Sequence, residues 1–168
     1  IIAIPLSVDA DAKKVALGQM LFYDSRLSKD DTVSCNSCHE LAKGGADGRQ
    51  VSMGVGGAKG RINAPTVFNS AGSIKQFWDG RADDLHSQVD GPVQAAVEMG
   101  SLWPDVITKL YADKAYPELF DDIYEDGITR DSIKDALAEF ESQLISPNSR
   151  FDKWLGGEKS ALTEQELR

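Results

Sequence analysis

The chain has 168 residues, a formal net charge of −9, and 41% hydrophobic against 27% charged residues. That length fits one domain able to bury a core, and its longest apolar run falls far short of the roughly 18 residues a membrane-spanning helix needs. The acidic balance leaves no Lys/Arg stripe for phosphates and so argues against nucleic acid; it suits either a basic partner steered at long range or simple solubility.

The chain opens on Ile1-Ile2-Ala3-Ile4-Pro5, which lacks a basic segment and reads as a mature or trimmed end rather than a signal peptide. Residues 11–23 predict a helix capped by Asp9 or Asp11, with Val15, Leu17, Leu21 and Phe22 as its apolar stripe. Gly18 within it would let another element approach closely. A polar connection, Ser25 to Ser34, leads to the two cysteines of the chain, Cys35 and Cys38.

From Gly44 to Gly60 the sequence is glycine-rich and aperiodic, which predicts a long irregular loop of the kind that serves function or wraps a cofactor. Asn63-Ala64-Pro65-Thr66 closes it as a turn. The cluster Phe77-Trp78-Asp79-Gly80-Arg81 and a short helix near 82–90 follow. Residues 104–113 and 116–124 predict two more helical pieces. The clearest helix covers 130–145, where Ile133, Leu137, Phe140 and Leu144 recur at helical spacing, and Ser146-Pro147 stops it. Nothing alternates as a strand, so the predicted class is mostly α.

Ser34-Cys35-Asn36-Ser37-Cys38-His39 carries the C-x-x-C-H spacing of c-type haem attachment. Two thiols so placed add to the two haem vinyl groups, and the adjacent histidine reaches the iron as its proximal ligand. A thioredoxin-like pair shares the cysteine spacing but needs a βαβ context; a chance match is the other reading. A structural zinc site or a disulfide framework needs more ligands or cysteines than these. Covalent haem c implies maturation outside the cytoplasm, hence a periplasmic location.

Gly18-x-x-Leu21-Phe22 before this motif, with a late amphipathic helix carrying Phe140, resembles cytochrome c, in which the first and last helices cross at the glycine. Further motifs resemble the N-terminal, peroxidatic domain of the bacterial dihaem cytochrome c peroxidases. They are Leu17 to Phe22, Ser34 to His39, Asn63 to Asn69, Gln76 to Ala82, Gly91 to Ala95, Val97-Glu98-Met99 and Phe151 to Leu155. They span nearly the whole chain, in family order.

The resemblance implies a single cytochrome c-like haem domain over 1–168. Its activity is reduction of hydrogen peroxide to water, with electrons from a second haem fed by a small cytochrome or copper protein. It places Glu98 as acid/base and Gln88 as the residue orienting peroxide. Trp78 falls between the two haems, Asn63 falls at a calcium site between domains, and the family's usual state is a homodimer. A carboxylate beside haem iron suits the role, because breaking the O–O bond requires a proton moved from the near to the far oxygen. Without the resemblance, Glu98 reads as a solvated or capping carboxylate, Gln88 as a surface residue and Trp78 as core.

Two departures stand out. Many family members carry a distal histidine in the glycine-rich loop, where this chain has Val55, which cannot ligate iron. The iron is then open, or Met53, Met99 or His86 substitutes, or the loop is mobile; His86 otherwise reads as a surface helix residue. Second, no further C-x-x-C-H follows, and Thr163 to Arg168 matches the family's lead-in to a second haem domain, so a fragment or a second chain is expected. The competing functions are a non-enzymatic electron-transfer cytochrome and a superfamily oxidase acting through high-valent iron.

Overall fold

A computed structural model describes residues 2–168; Ile1 of the N-terminal reading lies outside the described residues. Eight α-helices occur in chain order among them: α1 Ala12–Tyr23, α2 Cys35–Cys38, α3 Leu85–Gln88, α4 Asp90–Gln94, α5 Trp103–Tyr111, α6 Tyr116–Asp121, α7 Arg130–Ser142 and α8 Arg150–Leu155. Strand pairing among the described residues is limited to two isolated bridges, Met53 with Lys59 and Gln76 with Ala82. The mostly α class holds.

Helix α1 begins where Asp11 accepts from the backbone N–H groups of Lys13 (2.8 Å) and Lys14 (3.3 Å). Helix α7 begins with a reciprocal cap: Ser132 N–H donates to Thr129 Oγ1 at 3.1 Å, and Thr129 N–H to Ser132 Oγ at 2.9 Å. The two helices cross at Gly18. A Cβ there would lie 1.9 Å from the carbonyl oxygen of Ala136 and 2.7 Å from Phe140 Cβ, so only glycine admits the contact. Around this crossing Leu17, Leu21, Phe22, Ile133, Ala136, Leu137 and Phe140 are buried, and the Phe22 and Phe140 rings meet edge to face at 5.3 Å. The expected crossing is present, although α7 is followed by α8 and is not the last helix.

Around this pair, α5 buries Trp103, Val106 and Leu110, and α6 buries Tyr116 and Phe120. Asp90 of α4 ties three elements together. It accepts from Trp103 Nε1 (2.9 Å), Arg130 Nη2 (2.6 Å) and the buried Lys134 Nζ (2.8 Å). Asn69 anchors the segment after the Asn63-Ala64-Pro65-Thr66 turn to the end of α7, its N–H donating to the Leu144 carbonyl at 2.7 Å.

Two expectations change. The helix near 82–90 is two short helices, α3 and α4. Pro92 has no N–H, so it cannot return a hydrogen bond to the Gln88 carbonyl, and the helix cannot run through. Helix α8 lies past the stop at Pro147 and is unanticipated. Ser149 caps it, accepting from Asp152 N–H at 3.1 Å, and Asp152 Oδ1 in turn receives the Ile4 N–H at 2.9 Å.

Candidate functional site

Helix α2 is a single turn that carries both cysteines. Ser34 N–H donates to Ser37 Oγ at 3.0 Å, which fixes its start, and His39 follows directly with its N–H on the Cys35 carbonyl at 2.9 Å. The two cysteines form no disulfide with each other. Burial pushes each thiol above its ordinary range.

The His39 ring is held from behind. Its Nδ1 lies 3.0 Å from the Pro65 carbonyl oxygen and 3.3 Å from that of Gly45. Nδ1–H donating to these carbonyls leaves Nε2 with its lone pair free, the tautomer that binds a metal. Burial lowers the proton affinity of His39, which favours the same neutral form.

Cys35, Cys38 and His39 line a cavity of about 620 Å³, a volume typical of cofactor sites. Val33, Val67, Val89, Val93, Met99 and Leu137 supply much of its apolar wall. A thiol pair on one helical turn, a neutral histidine presenting Nε2 and an apolar cavity fit the group that C-x-x-C-H attaches.

Gln88, at the end of α3, and Glu98, in the turn after α4, line the same cavity. Both are half-buried, so neither is the plain surface residue of the alternative reading. Burial pushes the Glu98 carboxyl up, and Arg81 partly offsets it. Arg81 also lines the cavity; its guanidinium sits 3.4 Å above the centre of the Phe77 ring and bonds Asp79 at 2.9 Å. Phe77 itself holds a left-handed backbone (φ 66°), a strained conformation of the sort that gathers at functional sites.

Trp78 is 62% exposed at the cavity rim, which rules out ordinary core packing. Its indole N–H donates to the Asn63 carbonyl at 3.1 Å, joining two of the residues singled out in the sequence. The Asn63 side chain is exposed beside it. No group of three His, Cys, Asp or Glu residues able to hold a metal ion occurs among the described residues.

The proposed substitutes for the distal histidine separate clearly. Met99 is buried and lines the cavity. Met53 and Val55 are not among its lining residues. Val55 packs against the core, and its N–H donates to the Glu98 carbonyl at 2.8 Å. His86 borders a different depression, with Tyr124, Asp131 and Asp135. Among the described residues, His39 is the one histidine at the cavity.

Sequence reasoning gave no role to Arg81, although it closes the Phe77 to Arg81 cluster, or to Glu141, an acid beside the apolar stripe of α7. Both line the cavity.

The pattern of the di-haem cytochrome c peroxidase family matches residues 12–160. Cytochrome c peroxidase Ccp of Escherichia coli K12 is 52% identical over 166 residues, which is 98% of this chain and 36% of that protein. Cytochrome c551 peroxidase of Nitrosomonas europaea is 46% identical over 159 residues, 94% of this chain and 47% of that protein. Among solved structures, a MauG-like protein associated with microbial copper homeostasis superposes with a TM-score of 0.83 at 32% identity, covering 99% of this chain and 50% of that one. The chain thus spans between about a third and half the length of these relatives. No helix is long and apolar enough to cross a membrane among the described residues. By the extent of these matches, this chain belongs to the di-haem cytochrome c peroxidase family.

Proposed function

We propose that the chain is the peroxide-reacting haem domain of a periplasmic cytochrome c peroxidase. The observation that carries this reading is the gathering of Cys35, Cys38, His39, Gln88 and Glu98 from separate elements onto one apolar cavity. Cys35 and Cys38 would hold haem c covalently, and His39 Nε2 would bind its iron. When bound, the haem supplies electrons and a Lewis acid for reduction of hydrogen peroxide to water.

The residues of the chain do the rest. Gln88 orients peroxide by hydrogen bonds without titrating. Glu98, as carboxylate, takes the proton from the near oxygen; as carboxylic acid it returns that proton to the departing oxygen, so one group serves as base and then acid. Half-burial raises its proton affinity, and the Arg81 charge partly opposes that rise.

Trp78, exposed at the rim, would face a second haem domain fed with electrons by a small cytochrome or copper protein; its exposure supports that reading. Asn63, joined to Trp78 through its carbonyl, is the contribution of this chain to a calcium site at that junction. Family resemblance supports a homodimer. An electron carrier has no use for a half-buried carboxylate at the haem cavity, which favours the enzymatic reading over the carrier.

The test is rapid mixing of the haem-loaded chain with hydrogen peroxide. Glu98→Gln is expected to slow the reaction by about 10²- to 10⁴-fold, the range for losing general acid–base catalysis, with haem content and absorption spectrum unchanged. An unchanged rate would remove Glu98 from the mechanism.

A further inference from the structure

Of the charged side chains at the cavity that take no part in the peroxide step, Glu141 is the buried one. Glu141 lies on α7 one turn after Leu137, and both line the cavity together with Cys35. It is 8% exposed. Its carboxylate makes no hydrogen bond or ion pair among the described residues. Lys134, the buried cation two turns earlier on the same helix, is committed to Asp90 at 2.8 Å.

The surroundings of Glu141 are close to neutral. From α2 comes Cys35, which would be an uncharged thioether once haem is attached. The 70–76 segment, which packs on α7, brings Ser70 and Gln76, and Gln76 Nε2 already donates to the Ser70 carbonyl at 2.9 Å. The other ionisable groups on the cavity wall are Cys38, His39, Arg61, Asp79, Arg81 and Glu98. Asp79 and Arg81 pair with each other. None of these sets the proton affinity of Glu141: burial alone pushes its carboxyl up to about 7.

A buried carboxylate without a partner is costly unless a positive charge stands nearby or a proton arrives. A ferric haem carries one net positive charge at its centre, and reduction removes it. The cavity communicates with solvent at Ile62 and Trp78, which line it and are 55% and 62% exposed, so protons can enter.

We infer that Glu141 is a proton acceptor coupled to haem reduction. As the attached haem gains one electron from a one-electron donor, the iron passes from ferric to ferrous, and the Glu141 carboxylate binds one proton from solvent to become the neutral acid. Reoxidation reverses both transfers. The inference rests on haem attachment at Cys35 and Cys38 and does not depend on the peroxide reaction.

The experiment is a dye-mediated potentiometric titration of the haem-loaded chain between about pH 5 and about pH 9, the range in which a shifted carboxyl titrates. The wild-type midpoint is expected to fall with pH around neutrality, approaching a tenfold change in the redox equilibrium per pH unit, about 59 mV for one electron. Glu141→Gln is expected to be flat over the same range. A flat wild type, or a variant with the wild-type slope, would overturn the inference; the latter would move the proton to another group such as a haem propionate.

Should the variant fail to take up haem, a redox-induced infrared difference spectrum of the wild type decides. A carboxylic acid C=O band rising on reduction is expected, and its absence counts against Glu141. Peroxide turnover, measured separately, distinguishes loss of the peroxidase reading from loss of this one.

Discussion

The backbone N–H of Val55 donates to the carbonyl of Glu98 at 2.8 Å, so the glycine-rich loop is fastened to the residue proposed as the acid/base. Gly54 makes the approach possible. A Cβ there would lie 2.2 Å from the Val97 carbonyl oxygen and 2.4 Å from that of Glu98. Gly54→Ala must therefore push the loop or Glu98 aside. Overpacking of this kind costs about 1–3 kcal/mol, and a displaced acid costs roughly 100-fold in rate. Denaturant midpoints and peroxide mixing on the haem-loaded variant measure both.

Arg81 opposes burial at Glu98. Replacing it by methionine keeps an apolar stem over the Phe77 ring and removes the charge. The proton affinity of Glu98 then rises, its carboxylate form is lost at higher pH than in the wild type, and the acid limb of the peroxide rate profile moves to higher pH. A profile that keeps its acid limb in place would show that Arg81 does not act on Glu98.

Asp90 is the countercharge of Lys134, which is 4% exposed. Asp90→Ala strands that cation, and removing one partner of a buried pair costs about 3–5 kcal/mol, readable as a lower urea midpoint. Burial raises the Asp90 carboxyl, but hydrogen bonds from Arg130, Lys134 and Trp103 outweigh it and hold it at about 2, against 3.8 ordinarily. The group binds fewer protons folded than unfolded between these values. Its stabilisation is therefore complete above about pH 4 and is lost as pH falls through about 2.

Glu141 has the opposite sign. Its folded value of about 7 exceeds the ordinary 4.5. Between these the unfolded chain ionises while the folded one stays protonated, so stability declines as pH rises and the loss is complete above about 7. Glu141→Gln removes that decline. In the ferrous protein it is expected to stabilise by up to about 3 kcal/mol at alkaline pH and by almost nothing below the ordinary carboxyl range. Equal effects at both pH values would contradict the assignment.

Local chemistry made much of the fold legible. Asp11 as a cap, Gly18 as a crossing point and the Ile133, Leu137, Phe140 stripe follow from helical periodicity and from the absence of a Cβ, and all three are realised. Helix α8 was hidden behind Pro147, although Ser149 followed by Asp152 has the spacing of a reciprocal cap. At the site, the C-x-x-C-H motif is legible because its residues are adjacent in sequence and its helical surroundings offer no βαβ unit among the described residues.

Gln88 and Glu98 came from the family resemblance, and the tertiary structure brings them to the motif. The exposure of Trp78, the hold of Val55 on Glu98 and the inward turn of Glu141 depend on how distant segments pack. Local patterns encode little of this. The last had one faint signal, an acid four residues after Leu137 on the buried side of α7.

Electron paramagnetic resonance of the fully ferric, haem-loaded chain tests most directly whether His39 holds an iron whose other side faces Glu98 and Gln88 without a strong protein ligand. A high-spin signal, five-coordinate or water-bound, is the predicted result. A purely low-spin signal from two strong protein ligands, with Met99 as the cavity residue able to supply the second, would contradict it and leave an electron carrier.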